Sequence, residues 1–179
     1  LKGEGENVTK LVEKGKSQFA GPEISGKTLG LIGLGAIGRL VAESAIALGM
    51  KVIGFDAFLS DEAKALLNSQ VQLVGSVEDI YENADYISLH IPATADTKGS
   101  INENTISKMK DGVRILNFAR GELVNSVDLL KALESGKVSS YVTDFPTDDV
   151  IGVENVVALP HLGASTPESE DNCAVMAAK

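Results

Sequence analysis

Six short runs of this chain read as strands, and most of them are apolar throughout: residues 29–32, 52–55, 86–90, 114–118, 140–144 and 156–159. A strand with one wet face alternates apolar and polar residues. Runs without that alternation need cover on both faces of a sheet. The cover lies between them in sequence, as helical patterns over residues 37–48, 60–68, 76–83, 102–108 and 126–134. Strand–helix–strand alternation of this kind builds right-handed crossovers and therefore an α/β fold with a doubly wound parallel sheet. A weaker run at 71–74 adds a minor seventh strand. Gly49 and Gly136 stand where helices should end, and Ser76 before "VEDI" supplies a cap oxygen and an acid at a helix start.

The first junction is unusual. Gly33, Gly35 and Gly38 in "LIGLGAIGRL" join an apolar strand to an amphipathic helix. In that setting the first glycine permits the tight turn, the second lets backbone N–H groups approach a pyrophosphate, and the third lets the helix pack close. The helix then offers its partly positive N-terminus to the phosphates. Asp56 closes the second strand eighteen residues after Gly38, with no Arg or Lys in "FDAFLS". A carboxylate there accepts hydrogen bonds from an adenosine ribose and repels a 2′-phosphate, which predicts NAD rather than NADP. The fold class is thus α/β, a Rossmann-type doubly wound parallel sheet with helices on both faces.

Composition sets outer limits. At 179 residues the chain suits one domain, and a net charge of −9 argues against nucleic-acid or anionic-membrane partners. No apolar stretch approaches the ~20 residues of a membrane-spanning helix. A single cysteine, Cys173, forms no internal disulfide and fits a reducing cytoplasm.

Ligands of such sheets bind beyond the carboxyl ends of the strands. The polar residues expected there are His90, Arg120, Asp144 and His161, which include both histidines of the chain. A histidine is a ready acid–base group near neutral pH, and an arginine presents a planar fork to a carboxylate.

The ordered set "GLGAIG", "FD", "LHIPATADTKGSIN", "NFARGELV" and "LPHLGAST" resembles the D-isomer-specific 2-hydroxyacid dehydrogenases, over about residues 19–179. "HLGAST" and its surroundings are most similar to the branch acting on D-3-phosphoglycerate. The resemblance implies NAD-dependent hydride transfer to and from a small-molecule 2-hydroxy acid, oxidation of 3-phosphoglycerate to 3-phosphohydroxypyruvate in serine biosynthesis being the leading case. It implies that Arg120 holds the α-carboxylate and that His161 exchanges the hydroxyl proton. The family's acid is a Glu five residues after an Asp; counting from Asp144 selects Asp149, which is the expected catalytic acid, whereas aligning on the phenylalanine selects Asp148. The segment is shorter than usual, and an Asp is one methylene shorter than Glu. Matching to the family also gives the cofactor contacts: Gly33, Gly35, Ala36, Ile37 and Gly38 at the pyrophosphate, Asp56 at the ribose, and His90, Ile91 and Pro92 by the adenosine. Phe118 and Ala119 fall near the nicotinamide ribose, Asp144 at the carboxamide, and Gly163 and Ala164 after the histidine. Ala36 stands where an Arg is often found.

By the same resemblance, residues 1–25 are an interdomain connection, 26–165 the NAD-binding domain and 166–179 the start of a return helix, with the substrate domain outside this chain. The chain alone is then expected to bind NAD with little or no turnover, and to pair as a homo-oligomer through this domain. Lys14 and Lys16 are candidates for a substrate phosphate or a solvated helix end. Two other readings stay open: a glyoxylate or hydroxypyruvate reductase, and an NADH-sensing protein akin to corepressors of this fold.

Overall fold

A computed structural model describes residues 2–178; Leu1 and Lys179 lie outside the described residues. Seven strands form a single all-parallel sheet: β1 (Thr28–Ile32), β2 (Lys51–Phe55), β3 (Val71–Leu73), β4 (Tyr86–Leu89), β5 (Val113–Asn117), β6 (Val138–Thr143) and β7 (Val156–Ala158). Their order across the sheet is β3-β2-β1-β4-β5-β6-β7. The direction of winding reverses between β1 and β4, which opens a crevice at the carboxyl ends of those two strands.

The helices are α1 (Val8–Gly15), α2 (Ala36–Ala47), α3 (Asp61–Ala65), α4 (Val77–Asn83), α5 (Glu103–Ser107), α6 (Ser126–Glu134) and α7 (Pro167–Ala177). Two apolar clusters hold them to opposite faces. Leu29, Leu31 and Val52 meet Ala42 and Ala45 of α2, while Ile32, Ile53 and Ile87 meet Ile80, Tyr81 and Ala84 of α4. Successive strand residues point to opposite faces, so β1 serves both clusters at once. The fit is close on the α4 side, where a Cβ built on Gly30 would lie 2.5 Å from Ile80 Cγ2.

The predicted seventh strand is present as the β3 edge. The Ser76 cap closes a full capping box with Asp79. Three expectations need correcting. Helix α3 ends at Ala65 rather than 68, because Asn68 turns the chain by accepting the Gln70 N–H through its own side chain. Strands β4, β5 and β6 stop one residue short of His90, Phe118 and Asp144, which leave the ladder where the crevice begins. Full cover on both faces holds for β1, β2 and β4, but β5 alternates buried and half-buried residues along its length. Its second face carries Arg114 and Leu116 and is only partly covered.

Candidate dinucleotide and proton-transfer site

The turn after β1 is shaped by its first and third glycines. Gly33 has φ +98°, a left-handed conformation that suits a residue without Cβ, and its N–H donates to the Phe55 carbonyl at 2.8 Å. A Cβ on Gly38 would lie 2.2 Å from the Gly33 carbonyl oxygen, so α2 reaches its position only because residue 38 has none. Gly35 is the N-cap of α2 with no side-chain cap bond, and Ala36 and Ile37 beside it are exposed. The first-turn N–H groups of α2 therefore face outward without a side-chain acceptor, an anion-receiving arrangement.

Asp56 does more than sequence reasoning assigned to it. Its Oδ2 accepts the Leu34 N–H at 2.8 Å and its Oδ1 accepts the Phe58 N–H at 2.9 Å. The carboxylate thus ties the glycine turn to the end of β2, and each oxygen keeps acceptor capacity for a ribose hydroxyl. His90 forms the floor. Its carbonyl lies under Gly33, its Cβ near Gly38, and its Nε2 sits 2.9 Å from the Ser88 hydroxyl. Burial lowers its pKa to about 4, which keeps the imidazole neutral. Ile91 packs against the same glycine, while Pro92 is exposed.

The second half of the site gathers at the ends of β5, β6 and β7. Arg120 is exposed; its Nη1 donates to the Ala119 carbonyl at 2.6 Å and its guanidinium stacks 5.3 Å above the Phe145 ring. The same ring lies 4.3 Å, centroid to centroid, from that of His161. Phe145 therefore lies against both the cation and the imidazole. Behind Arg120, fully buried Asn117 donates through Nδ2 to the Arg120 carbonyl at 2.9 Å and to the Tyr141 hydroxyl at 3.2 Å, while its Oδ1 accepts the Ala119 N–H. Asn117 and Phe145 are the functional positions that sequence reasoning missed. The signal for Asn117 was an amide directly after the apolar pair Ile115–Leu116 at the end of a strand; Phe145 carried none.

The carboxylate beside His161 is Asp144, with its Oδ2 2.8 Å from Nδ1, and not Asp149 or Asp148. Asp149 lies on an exposed loop, where hydroxyl donors from Ser126 and Thr147 hold its carboxyl below the usual carboxylate range. Gly163 and Ala164 follow the histidine on an exposed stretch, Phe118 is exposed, and Ala119 is half-buried. Lys16 pairs with Glu13 on the surface. A separate concavity of about 780 Å³, lined by Thr28, Met50, Gln72 and Lys110 among others, holds none of these residues. Among the described residues no cluster of metal ligands occurs, and no helix is long and apolar enough to cross a membrane.

These residues fit a dinucleotide: an uncapped helix start over a glycine cradle for the pyrophosphate, a carboxylate at the second strand for the ribose, and a buried acceptor just after β6. That acceptor is Asp144 Oδ1, which has no hydrogen-bond partner among the described residues. Fold and site together define a dinucleotide-binding domain of an oxidoreductase. The sequence profile of the family described as "D-isomer specific 2-hydroxyacid dehydrogenase, NAD binding domain" matches residues 4–163, and the chain belongs to that family.

Among its relatives, the D-3-phosphoglycerate dehydrogenase of Bacillus subtilis (strain 168) is 43% identical over 170 residues, which cover 90% of this chain and 31% of that protein. The hydroxypyruvate reductase of Thermotoga maritima is 42% identical over 164 residues, covering 87% and 52%. The D-lactate dehydrogenase of Aquifex aeolicus, solved with NAD and lactic acid, superposes with TM-score 0.78 at 32% identity, covering 97% of this chain and 59% of that one. The chain thus spans about a third of the first relative and a little over half of the other two.

Proposed function

We propose that this chain is the NAD-holding and proton-transferring part of an enzyme that oxidises D-3-phosphoglycerate to 3-phosphohydroxypyruvate, at the head of serine synthesis. The observation that carries the reading is the convergence of Arg120, Phe145, His161 and Asp144 at the sheet edge that also holds the glycine cradle. NAD supplies a hydride acceptor when bound, and the remaining work falls to side chains of this chain. Arg120 binds the substrate α-carboxylate through its fork and draws electron density toward the C2 oxygen. As the C2–H bond breaks with its electron pair, His161 Nε2 takes the proton from the C2 hydroxyl and the carbonyl forms. In the reverse direction the same imidazole returns it. Asp56, with no cation in its own segment, favours a free ribose 2′-hydroxyl.

We further propose that residues 1–25 and 166–179 lead to and from a substrate domain outside this chain, and that the protein is a cytoplasmic homodimer paired through the domain described here. The isolated chain then binds NAD and turns over poorly. The relative that acts on hydroxypyruvate supports a second reading, reduction of that acid on the same cradle.

The test is NADH formation by the full-length protein with D-3-phosphoglycerate and NAD, beside the Arg120→Ala variant. Turnover that falls by at least about a hundredfold in the variant, the range of a lost charged anchor, is expected. Turnover with hydroxypyruvate and none with phosphoglycerate selects the second reading, and turnover unchanged by the substitution overturns the role of Arg120.

A further inference from the structure

We propose that Asp144 is the positioning carboxylate of His161, holding the ring with its proton on Nδ1 so that Nε2 is the atom left to take a proton. The inference rests on the reading of His161 as the proton carrier. It replaces the acid that family spacing selects with one that the sheet itself places.

The placement follows from strand register. β6 and β7 pair in parallel with Thr143 opposite Ala158, and the Leu159 N–H donates to the Thr143 carbonyl at 2.9 Å, which extends the ladder past the last pair. Asp144 is the first residue beyond that point on β6, and His161 follows two residues after Leu159 on β7. Both side chains therefore leave neighbouring strands at the same end of the sheet, close beyond the last backbone pair. Phe145 closes against the imidazole face, and its own N–H is held by the Thr143 hydroxyl at 3.1 Å. Asp149 has no such frame: it lies beyond Pro146 on an exposed loop, where its carboxylate accepts from the Ser126 and Thr147 hydroxyls.

The protonation pattern follows from the acceptor. An ionised carboxylate only accepts hydrogen bonds, so a 2.8 Å contact from Oδ2 to Nδ1 requires the proton on Nδ1. In a neutral ring that leaves the lone pair on Nε2, the form a base needs. The Asp144 side chain is 11% exposed, which strengthens the bond, whereas the histidine side chain is 50% exposed and keeps a face toward solvent. The second oxygen, Oδ1, is buried and has no hydrogen-bond partner among the described residues.

The experiment is nitrogen-15 NMR of the two imidazoles in this chain without cofactor, the His90 signals being assigned with His90→Gln. His161 is expected as the Nδ1–H tautomer in the unsubstituted chain and in Asp149→Ala. In Asp144→Ala it is expected to revert to the Nε2–H form that free imidazoles favour. Asp144→Asn keeps an acceptor oxygen and should restore the Nδ1–H tautomer. In the full-length enzyme that same variant should lose about tenfold to a hundredfold in kcat with a smaller change in KM, since the missing charge matters only as the ring becomes cationic. An unsubstituted His161 with its proton on Nε2 overturns the proposal without any variant, and so does reversion in Asp149→Ala with none in Asp144→Ala. None of the tautomer readings depends on which 2-hydroxy acid is the substrate. Failure of turnover on every such acid would sink the functional reading and leave the imidazole result standing.

Discussion

His90 lies beneath the glycine turn with Ser88 as its hydrogen-bond partner, and burial sets its pKa at about 4 against an ordinary 6.5. The unfolded chain protonates this histidine below about pH 6.5, whereas the folded chain resists until about pH 4. The neutral ring's contribution is therefore complete above about pH 6.5 and is lost as pH falls toward 4, by about 3 kcal/mol across the window. Chemical denaturation of the chain and of His90→Gln at steps between pH 7 and 4 should show the difference between their stabilities shrinking over that interval. Parallel curves would mean that the ring is not held neutral. Asn117 acts through satisfaction of a buried network. Truncation in Asn117→Ala removes the side-chain acceptor of the Ala119 N–H and one donor each from the Arg120 carbonyl and the Tyr141 hydroxyl, and should cost about 2 kcal/mol in unfolding free energy. Residue types at these positions were legible in the sequence, but their partners were not. Nothing in "DFPTDDV" tells Asp144 from Asp149 as the neighbour of His161, because the choice is made by pairing between β6 and β7, which are joined through a loop.

The element that depends most on a single residue is α2. Its N-terminus faces the crevice because residue 38 has no Cβ to strike the Gly33 carbonyl. Gly38→Ala should lower stability by about 2 kcal/mol or more, and it should weaken dinucleotide binding further by tilting the helix start away from the turn. Thermal unfolding together with NADH titration of the variant separates the two effects; unchanged stability would contradict the packing. Periodicity found every strand and helix of the sheet core, since burial on two faces imposes a pattern that short surface elements lack. It overran the ends of β4, β5 and β6 because His90, Phe118 and Asp144 continue the strand sequence while serving the crevice. Helix α3 was overrun for a different reason, a side-chain turn at Asn68 that outcompetes one more helical turn.

At the scale of the whole molecule, the seven strands in the order 3-2-1-4-5-6-7 bring to one edge residues from position 33 to position 161, and the chemistry lies where the winding reverses and along the edge beside it. Fold class, cofactor and family were legible from the glycine turn, the acid after β2 and the strand-end motifs. The internal geometry of the acid–base pair was not, because it depends on contacts between segments far apart in sequence. A protein built this way should recognise NADH through the cradle and Asp56 before any substrate is present. The most direct measurement is calorimetric titration of this chain with NADH and with NADPH, beside the Asp56→Ala variant. NADH is expected to bind with a dissociation constant on the order of micromolar to tens of micromolar, with NADPH weaker by at least about tenfold and the preference erased in the variant. No binding of NADH, or equal binding of both cofactors by the unsubstituted chain, would contradict it.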